Sequence, residues 1–233
     1  MLTAPQFSPA ALQSVRARIA QAAQTAGRAP ESVSLLAVSK LQPVAMIREA
    51  AAAGQVDFGE NYVQEGCDKV AALADVPGLV WHFIGQLQSN KTREVAAHFH
   101  WVHTVDRMRV AERLSAQRPA HLPPLQVLLQ VRLAEEPGKG GVAPTEVPAL
   151  AAAIAALPRL QLRGLMCIPP PVTDPEAQRR PFRELRELLE SLRAAGMPLD
   201  TLSMGMSDDL EAAILEGATI VRVGTAIFGK RPG

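Results

Sequence analysis

A lysine stands where a buried run of apolar residues gives out: positions 35–43 read Leu-Leu-Ala-Val-Ser-Lys-Leu-Gln-Pro. Four apolar residues in a row suit a strand covered on both faces, and Pro43 opens an Ala-rich helical pattern that stops near Gly54. Lys40 therefore falls at the junction of a buried strand and its loop. An amine held there is partly desolvated, gives up its proton more readily and attacks a carbonyl carbon. The alternative is a solvated loop lysine, as most lysines are. Two later stretches, Ser-Met-Gly-Met-Ser at 203–207 and Arg-Val-Gly-Thr at 222–225, gather small residues, hydroxyls and free backbone amides next to helix starts. Such junctions favour a phosphate. Ser207 can instead cap its helix, and Asp208 and Asp209 complement the helix dipole and repel an anion unless they turn away. A capping box of Asp208 with Glu211 would leave Ser207 free.

Alternating strands and helices must position these residues. An amphipathic helix over 8–26, with Leu12, Val15 and Ile19 on one face and Gly27 closing it, precedes the first strand. Strands are expected at 34–39, 56–60, 81–85, 101–105, 126–131, 162–168, 201–204 and 220–224. Helices are expected at 44–53, 62–73, 91–98, 107–117, 145–156, 175–195 and 209–216, with a short turn after Thr225. Eight such units in 233 residues predict an α/β fold: one (β/α)8 TIM barrel with an extra N-terminal helix, a single domain over 1–233. An open doubly wound sheet is the runner-up, but no Gly-x-Gly-x-x-Gly follows the first strand. With 48% hydrophobic residues, 20% charged and net charge +1, the chain lacks the electrostatic footprint of a nucleic-acid binder. No apolar run reaches membrane-spanning length and the amino terminus lacks the form of a signal peptide, so a cytoplasmic protein is expected, and it is read as a monomer. Cys67 and Cys167 have no neighbours at metal-ligand spacing and read as reduced structural thiols, without a metal site.

In a barrel the residues just after each strand converge on one face. That face takes in Lys40, Asn61, 82–88, 103–106, the 135–141 loop, 166–170, 203–207 and 222–225. Arg222 shares a strand face with Ile220 and Gly224, so one alternation points its guanidinium inward. Its other reading is a partner for a buried carboxylate such as Glu60. His82 and His103 each follow a tryptophan within a strand, where a histidine is more often packed than catalytic. Asn61 as a rim neighbour singles out His82; His103 reads as structural. Tyr62 is the only tyrosine, and if it packs outside the barrel no phenol remains for acid or base work. Of the other lysines, Lys69 falls mid-helix on the wrong side, while Lys91, Lys139 and Lys230 fall on or near the rim.

Five motifs in one order then carry a resemblance. They are Ala-Val-Ser-Lys at 37–40, Phe-Gly-Glu-Asn at 58–61, Trp-His-Phe-Ile-Gly-Gln-Leu-Gln-Ser-Asn-Lys at 81–91, Ser-Met-Gly-Met-Ser-Asp-Asp at 203–209 and Val-Arg-Val-Gly-Thr-Ala-Ile-Phe-Gly at 221–229. Over nearly its whole length the chain resembles the pyridoxal phosphate homeostasis protein family, itself similar to the barrel domain of bacterial alanine racemase. The resemblance implies that Lys40 forms a Schiff base with pyridoxal 5'-phosphate. It further implies that Ser207, Gly224 and Thr225, with the Met206 amide, hold the phosphate, that Arg222 faces the pyridine nitrogen, and that Asn61 and His82 line the ring pocket. A permanent cation beside that nitrogen disfavours its protonation and weakens the ring as an electron sink. The implied function is a carrier that buffers the intracellular cofactor and passes it to apo-enzymes. The alternative is a pyridoxal-phosphate-dependent amino-acid racemase, which needs two acid/base groups flanking the substrate carbon. Racemases of the resembling fold draw a tyrosine from a second, β-rich domain of the partner subunit, and this chain ends four residues past Gly229. A cofactor-free Schiff-base aldolase or sugar-phosphate isomerase is a third class that the barrel alone allows.

Overall fold

Each expected strand forms, and in the computed structural model, which describes residues 7–134 and 140–229, they hydrogen-bond in chain order and close. The strands are β1 Ser34–Val38, β2 Asp57–Glu60, β3 Val80–Phe83, β4 Trp101–Val105, β5 Leu125–Gln130, β6 Leu160–Met166, β7 Thr201–Ser203 and β8 Ile220–Val223. All pairings are parallel, and β1 against β8 completes a (β/α)8 TIM barrel. The helices are α1 Pro9–Thr25, α2 Val44–Ala52, α3 Val63–Ala72, α4 Thr92–His98, α5 Met108–Gln117, α6 Val147–Ala155, α7 Pro175–Ala194, α8 Leu210–Leu215 and α9 Thr225–Phe228. Strand ends differ from expectation by one or two residues. At several of them ladder bonds run on into the loop, as from Ser39 N to Gly59 O at 3.0 Å and from Ile84 N to Glu60 O at 2.9 Å.

The N-terminal helix α1 is capped by Ser8, whose Oγ accepts from Ala11 N at 3.4 Å, and it buries Leu12, Val15 and Ile19. That face lies on α8 and α9, and Phe7 packs against Phe228 with ring centroids 6.3 Å apart. The outward-facing strand residues, among them Phe58, Phe83, Val127, Leu129 and Val221, join the helices in one apolar core. Inside the barrel the filling differs. Leu36, Leu128, Met166 and Ile220 are buried there apart from that core, and the lumen also holds His82, His103, Ser203 and Arg222, all buried. Barrel interiors are ordinarily layered with aliphatic side chains, so four polar groups in the lumen mark where packing gives way to chemistry. No helix among the described residues is long and apolar enough to cross a membrane.

Candidate functional site

Lys40, half-buried, follows the top of β1, and the peptides on either side of it are clamped. The Ser39 hydroxyl donates to Glu60 Oε1 at 2.6 Å, and the Ser39 carbonyl accepts from Lys69 Nζ at 2.6 Å. Lys69 also donates to Glu60 Oε1 at 2.8 Å and Glu65 Oε1 at 2.6 Å, and the same Glu65 oxygen accepts from Leu41 N at 2.5 Å. Leu41 has φ 61°, a left-handed conformation unusual for a branched residue, which the Glu65 bond holds. Lys69 is therefore not on the far side of its helix, as its mid-helix position suggested. It is 4% exposed beneath Lys40, because Gly66 on the same face lets α3 close in; a Cβ there would lie 2.5 Å from Phe99. Gly66 three residues before Lys69, with Glu65 four residues before it, is the sequence signal that reasoning by position missed. Burial pushes the Glu60 carboxyl above its usual range, against the pull of Lys69.

Lys40 opens on a cavity of about 510 Å³. Asn61, Met206, Ser207, Arg222, Gly224 and Thr225 line it too, with apolar walls from Val38, Ile84, Met166 and Ile168. A Cβ at Gly224 would lie 3.1 Å from Val38 O, so only glycine keeps this part of the rim open without pushing on β1. Gly205 turns the loop after β7 with φ 93°. The hydroxyls of Ser207 and Thr225 bond no other described residue. One expectation for this loop fails, because a partner from α1 takes the group first. The Asp208 and Glu211 capping box does not form, because Glu211 forks onto Arg18 of α1 at 2.8 and 3.0 Å while Arg18 also takes the Ser207 carbonyl at 3.0 Å. The Met206 amide donates to Asp209 Oδ1 at 2.6 Å, so a carboxylate already fills that place. Burial pushes the Asp209 carboxyl up, although the Met206 amide and Arg222 pull it down.

Arg222 is 4% exposed and donates from Nη1 to Ser203 Oγ at 2.8 Å and from Nη2 to the Cys167 carbonyl at 2.9 Å. Glu60 is not its partner, since the alternation along β2 sends that carboxylate outward to Lys69. Burial lowers the guanidinium's pKa, which in arginine leaves it charged at any ordinary pH, and pushes the Cys167 thiol up to about 12. His82 does not line the cavity. It sits one inward-facing position below Ile84, stacked on Trp101 with centroids 5.5 Å apart and hydrogen-bonded to Asp57 and His103. Tyr62 is exposed at the start of α3, outside the cavity lining, and Lys91 pairs with Glu94 at 3.7 Å away from it. An adjoining cavity of about 250 Å³ shares Asn61, Ile84 and Ile168. Gly140 of the expected 135–141 loop reaches that second cavity, whereas residues 135–139, Lys139 included, and Lys230 lie outside the described residues.

The sequence matches the family model described as alanine racemase, N-terminal domain, over residues 11–232. It is similar to the pyridoxal phosphate homeostasis protein of Pseudomonas aeruginosa, 62% identical over 217 residues that make up 93% of each chain. It is similar to the protein of the same name from Escherichia coli, 54% identical over 222 residues, 94% of this chain and 95% of that one. Among solved structures it is similar to PipY of Synechococcus elongatus with pyridoxal phosphate bound, with TM-score 0.80 and 42% identity over 91% of this chain and 100% of that one. By the extent and level of these matches, the chain belongs to the pyridoxal phosphate homeostasis protein family, built on the alanine racemase N-terminal domain.

Proposed function

We propose that this chain, acting as a single domain, binds pyridoxal 5'-phosphate in the cavity around Lys40, holds it as a Schiff base and gives it up to other proteins. One observation carries the reading: the amine of Lys40, the cation of Arg222 and the uncommitted hydroxyls of Ser207 and Thr225 share one cavity of about 510 Å³. That donor set fits a flat aldehyde with a phosphate at one end and a ring nitrogen at the other. The open rim at Gly224 and the anion-holding turn at Met206, where Asp209 now stands in, suit the phosphate end. A relative of 42% identity binding the same cofactor supports the choice of ligand. Bound there, the cofactor would supply an aldehyde, and Lys40 is the residue whose amine would hold it covalently.

Ser207, Thr225 and the amides around Gly224 would hold the phosphate, with the Met206 amide joining once Asp209 lets go. Arg222 would meet the ring nitrogen and Asn61 the ring's edge. The carrier reading is favoured over a racemase because, besides Lys40 and Arg222, Asp208 is the only ionisable side chain in the cavity lining among the described residues. Among the described residues, a two-base proton transfer finds no histidine, cysteine or tyrosine in that lining to serve as the second base. The test is borohydride reduction of the loaded protein and mapping of the tagged peptide, followed by mixing unreduced protein with an apo-enzyme and, separately, with amino acids. Expected are a tag on Lys40 and cofactor transfer without turnover. A tag on any other of the five lysines, or turnover near about 1 s⁻¹ on an amino acid, refutes the reading.

A further inference from the structure

Arg222 is a buried cation to which no described carboxylate bonds; Asp209 acts on it only through space. Its Nη1 bond to Ser203 Oγ, 2.8 Å, is instead the first link of a chain through the barrel lumen. Ser203 Oγ lies 2.9 Å from His103 Nδ1, His103 Nε2 lies 2.9 Å from His82 Nδ1, and His82 Nε2 lies 3.0 Å from Asp57 Oδ1. His82, His103 and Ser203 are at most 2% exposed. Asp57 is the first residue of β2, so the chain runs from the cavity at the carboxyl ends of the strands to their amino ends. There the Asp57 carboxylate is 31% exposed, beside a separate cavity lined by Ser34 and Gln55.

The two ends fix the direction of every link. A guanidinium only donates and a carboxylate only accepts. With both rings neutral, one arrangement satisfies all four contacts. His82 carries its proton on Nε2 toward Asp57 and accepts at Nδ1. His103 carries its proton on Nε2 toward His82 and accepts at Nδ1 from the Ser203 hydroxyl, which accepts from Arg222. Burial pushes both imidazoles below their ordinary value, that of His103 furthest, with the Arg222 charge adding to the effect, so neutral rings are the expected state. Bonds aligned in one sense polarise one another. Electron density drawn from Asp57 makes each acceptor stronger, and the last acceptor is the oxygen that holds Arg222.

We propose that Asp57, His82, His103 and Ser203 form a one-way hydrogen-bond relay that positions Arg222, fixing its guanidinium at the cavity and ending on a carboxylate at the opposite end of the barrel. These are positioning residues: none but Arg222 reaches the cavity. What Arg222 meets there rests on the cofactor reading above; the relay itself does not.

Two measurements test it. Long-range proton–nitrogen NMR of the unmutated protein without cofactor reads the tautomers. Expected is an Nε2 proton on each neutral ring at pH 7, and an Nδ1 proton or an imidazolium at either position overturns the relay. The second compares binding of pyridoxal 5'-phosphate with its 1-deaza analogue, in which a CH replaces the ring nitrogen, to the parent and to Ser203→Ala, Asp57→Asn and Ser203→Thr. In the parent the cofactor should bind better by about tenfold, the worth of one charge-assisted hydrogen bond. Ser203→Ala should erase most of that preference and Asp57→Asn cut it by about threefold, with analogue affinity held within about twofold, while Ser203→Thr keeps the hydroxyl and restores it. A preference unchanged in both Ser203→Ala and Asp57→Asn overturns the relay. A parent without any preference refutes the placing of Arg222 at the ring nitrogen instead, and the tautomers then decide the relay alone.

Discussion

Replacing Lys69 with methionine asks whether Lys40 is held by a buried ion pair beneath it. Methionine keeps the apolar stem and removes three bonds, to Ser39 O, Glu60 and Glu65. It strands the Glu60 carboxylate, which is 0% exposed and whose Oε2 already lacks a partner. Breaking a buried pair by removing one member costs about 3–5 kcal/mol, a large part of the roughly 5–15 kcal/mol that holds an ordinary domain together. The loss should depend on pH. A carboxyl whose pKa is raised by folding favours the native state at low pH, and that advantage is lost as pH rises from the unfolded value through the folded one. Glu60 is already raised by burial, and Lys69 is the largest influence opposing that shift. Its removal raises Glu60 further, so the variant's deficit should be widest above the raised value and narrow on acidification toward the ordinary carboxylate range. Urea unfolding of parent and variant at neutral and mildly acidic pH measures this. A deficit below about 1 kcal/mol, the worth of a solvated surface pair, or one that does not narrow with acid, refutes the reasoning. The same variant releases the Ser39 carbonyl, next to Lys40, so borohydride trapping of pyridoxal phosphate at Lys40 should fall as well.

The double change Ser207→Ala with Thr225→Ala should weaken pyridoxal 5'-phosphate by roughly two orders of magnitude or more, from two charge-assisted bonds of about 1.5–3 kcal/mol each, and leave unphosphorylated pyridoxal nearly unchanged; equal losses in a titration of both ligands would remove the phosphate cup. Asp209→Asn keeps an oxygen for the Met206 amide and removes a negative charge beside the phosphate place, so affinity for the cofactor should rise by about fivefold, or about 1 kcal/mol. The carboxyl of Asp209 is raised by burial, so the charge it carries at neutral pH costs the fold stability, and the same variant should melt higher there, with the difference vanishing as pH falls below the ordinary carboxylate value. Unchanged binding by equilibrium titration would mean that the Asp209 charge does not oppose the phosphate.

The barrel was legible because its signals are local and repeat: eight short apolar runs, each punctuated and followed by a helical period, leave few other closures. Lys40 stood out for the same reason, at the point where one run ends. The inward aim of Arg222 followed from counting along β8, where period two admits only one face for residues 220, 222 and 224. What sequence could not reveal depends on partners far away along the chain. Arg18 reaches Glu211 across 193 positions and cancels a cap whose local spacing was right. Lys69 is drawn under Lys40 because Gly66 meets Phe99 of another unit, an approach no helical wheel contains. His82 looked like a rim residue because Asn61, at the end of the preceding strand, was expected beside it at the rim, whereas its neighbours in space are Asp57, Trp101 and His103, one layer down.

The order Phe-Gly-Glu-Asn at 58–61 shows how one strand serves both sides of the barrel wall. Phe58 faces outward into the core against Trp81, with ring centroids 5.7 Å apart. Gly59 faces inward, where a Cβ would lie 3.2 Å from Ile84 and 3.3 Å from Leu36, so a larger residue would press on the lumen below the cavity. Glu60 faces outward again, to the Lys69 clamp under Lys40, and Asn61 returns inward to the cavity itself. A slip of one residue would put the carboxylate in the lumen beside the histidines and the phenylalanine with it, leaving Lys69 with Glu65 as its one remaining carboxylate among the described residues. The same alternation pairs β1 with β8 so that Leu36 lies opposite Arg222. Lys40 is thereby braced from outside the wall by an ion pair, and Arg222 from inside it by the relay. Because the two braces share no side chain, cutting one should leave the other standing, and the effects of Lys69→Met and Ser203→Ala on cofactor binding should add within about 0.5 kcal/mol.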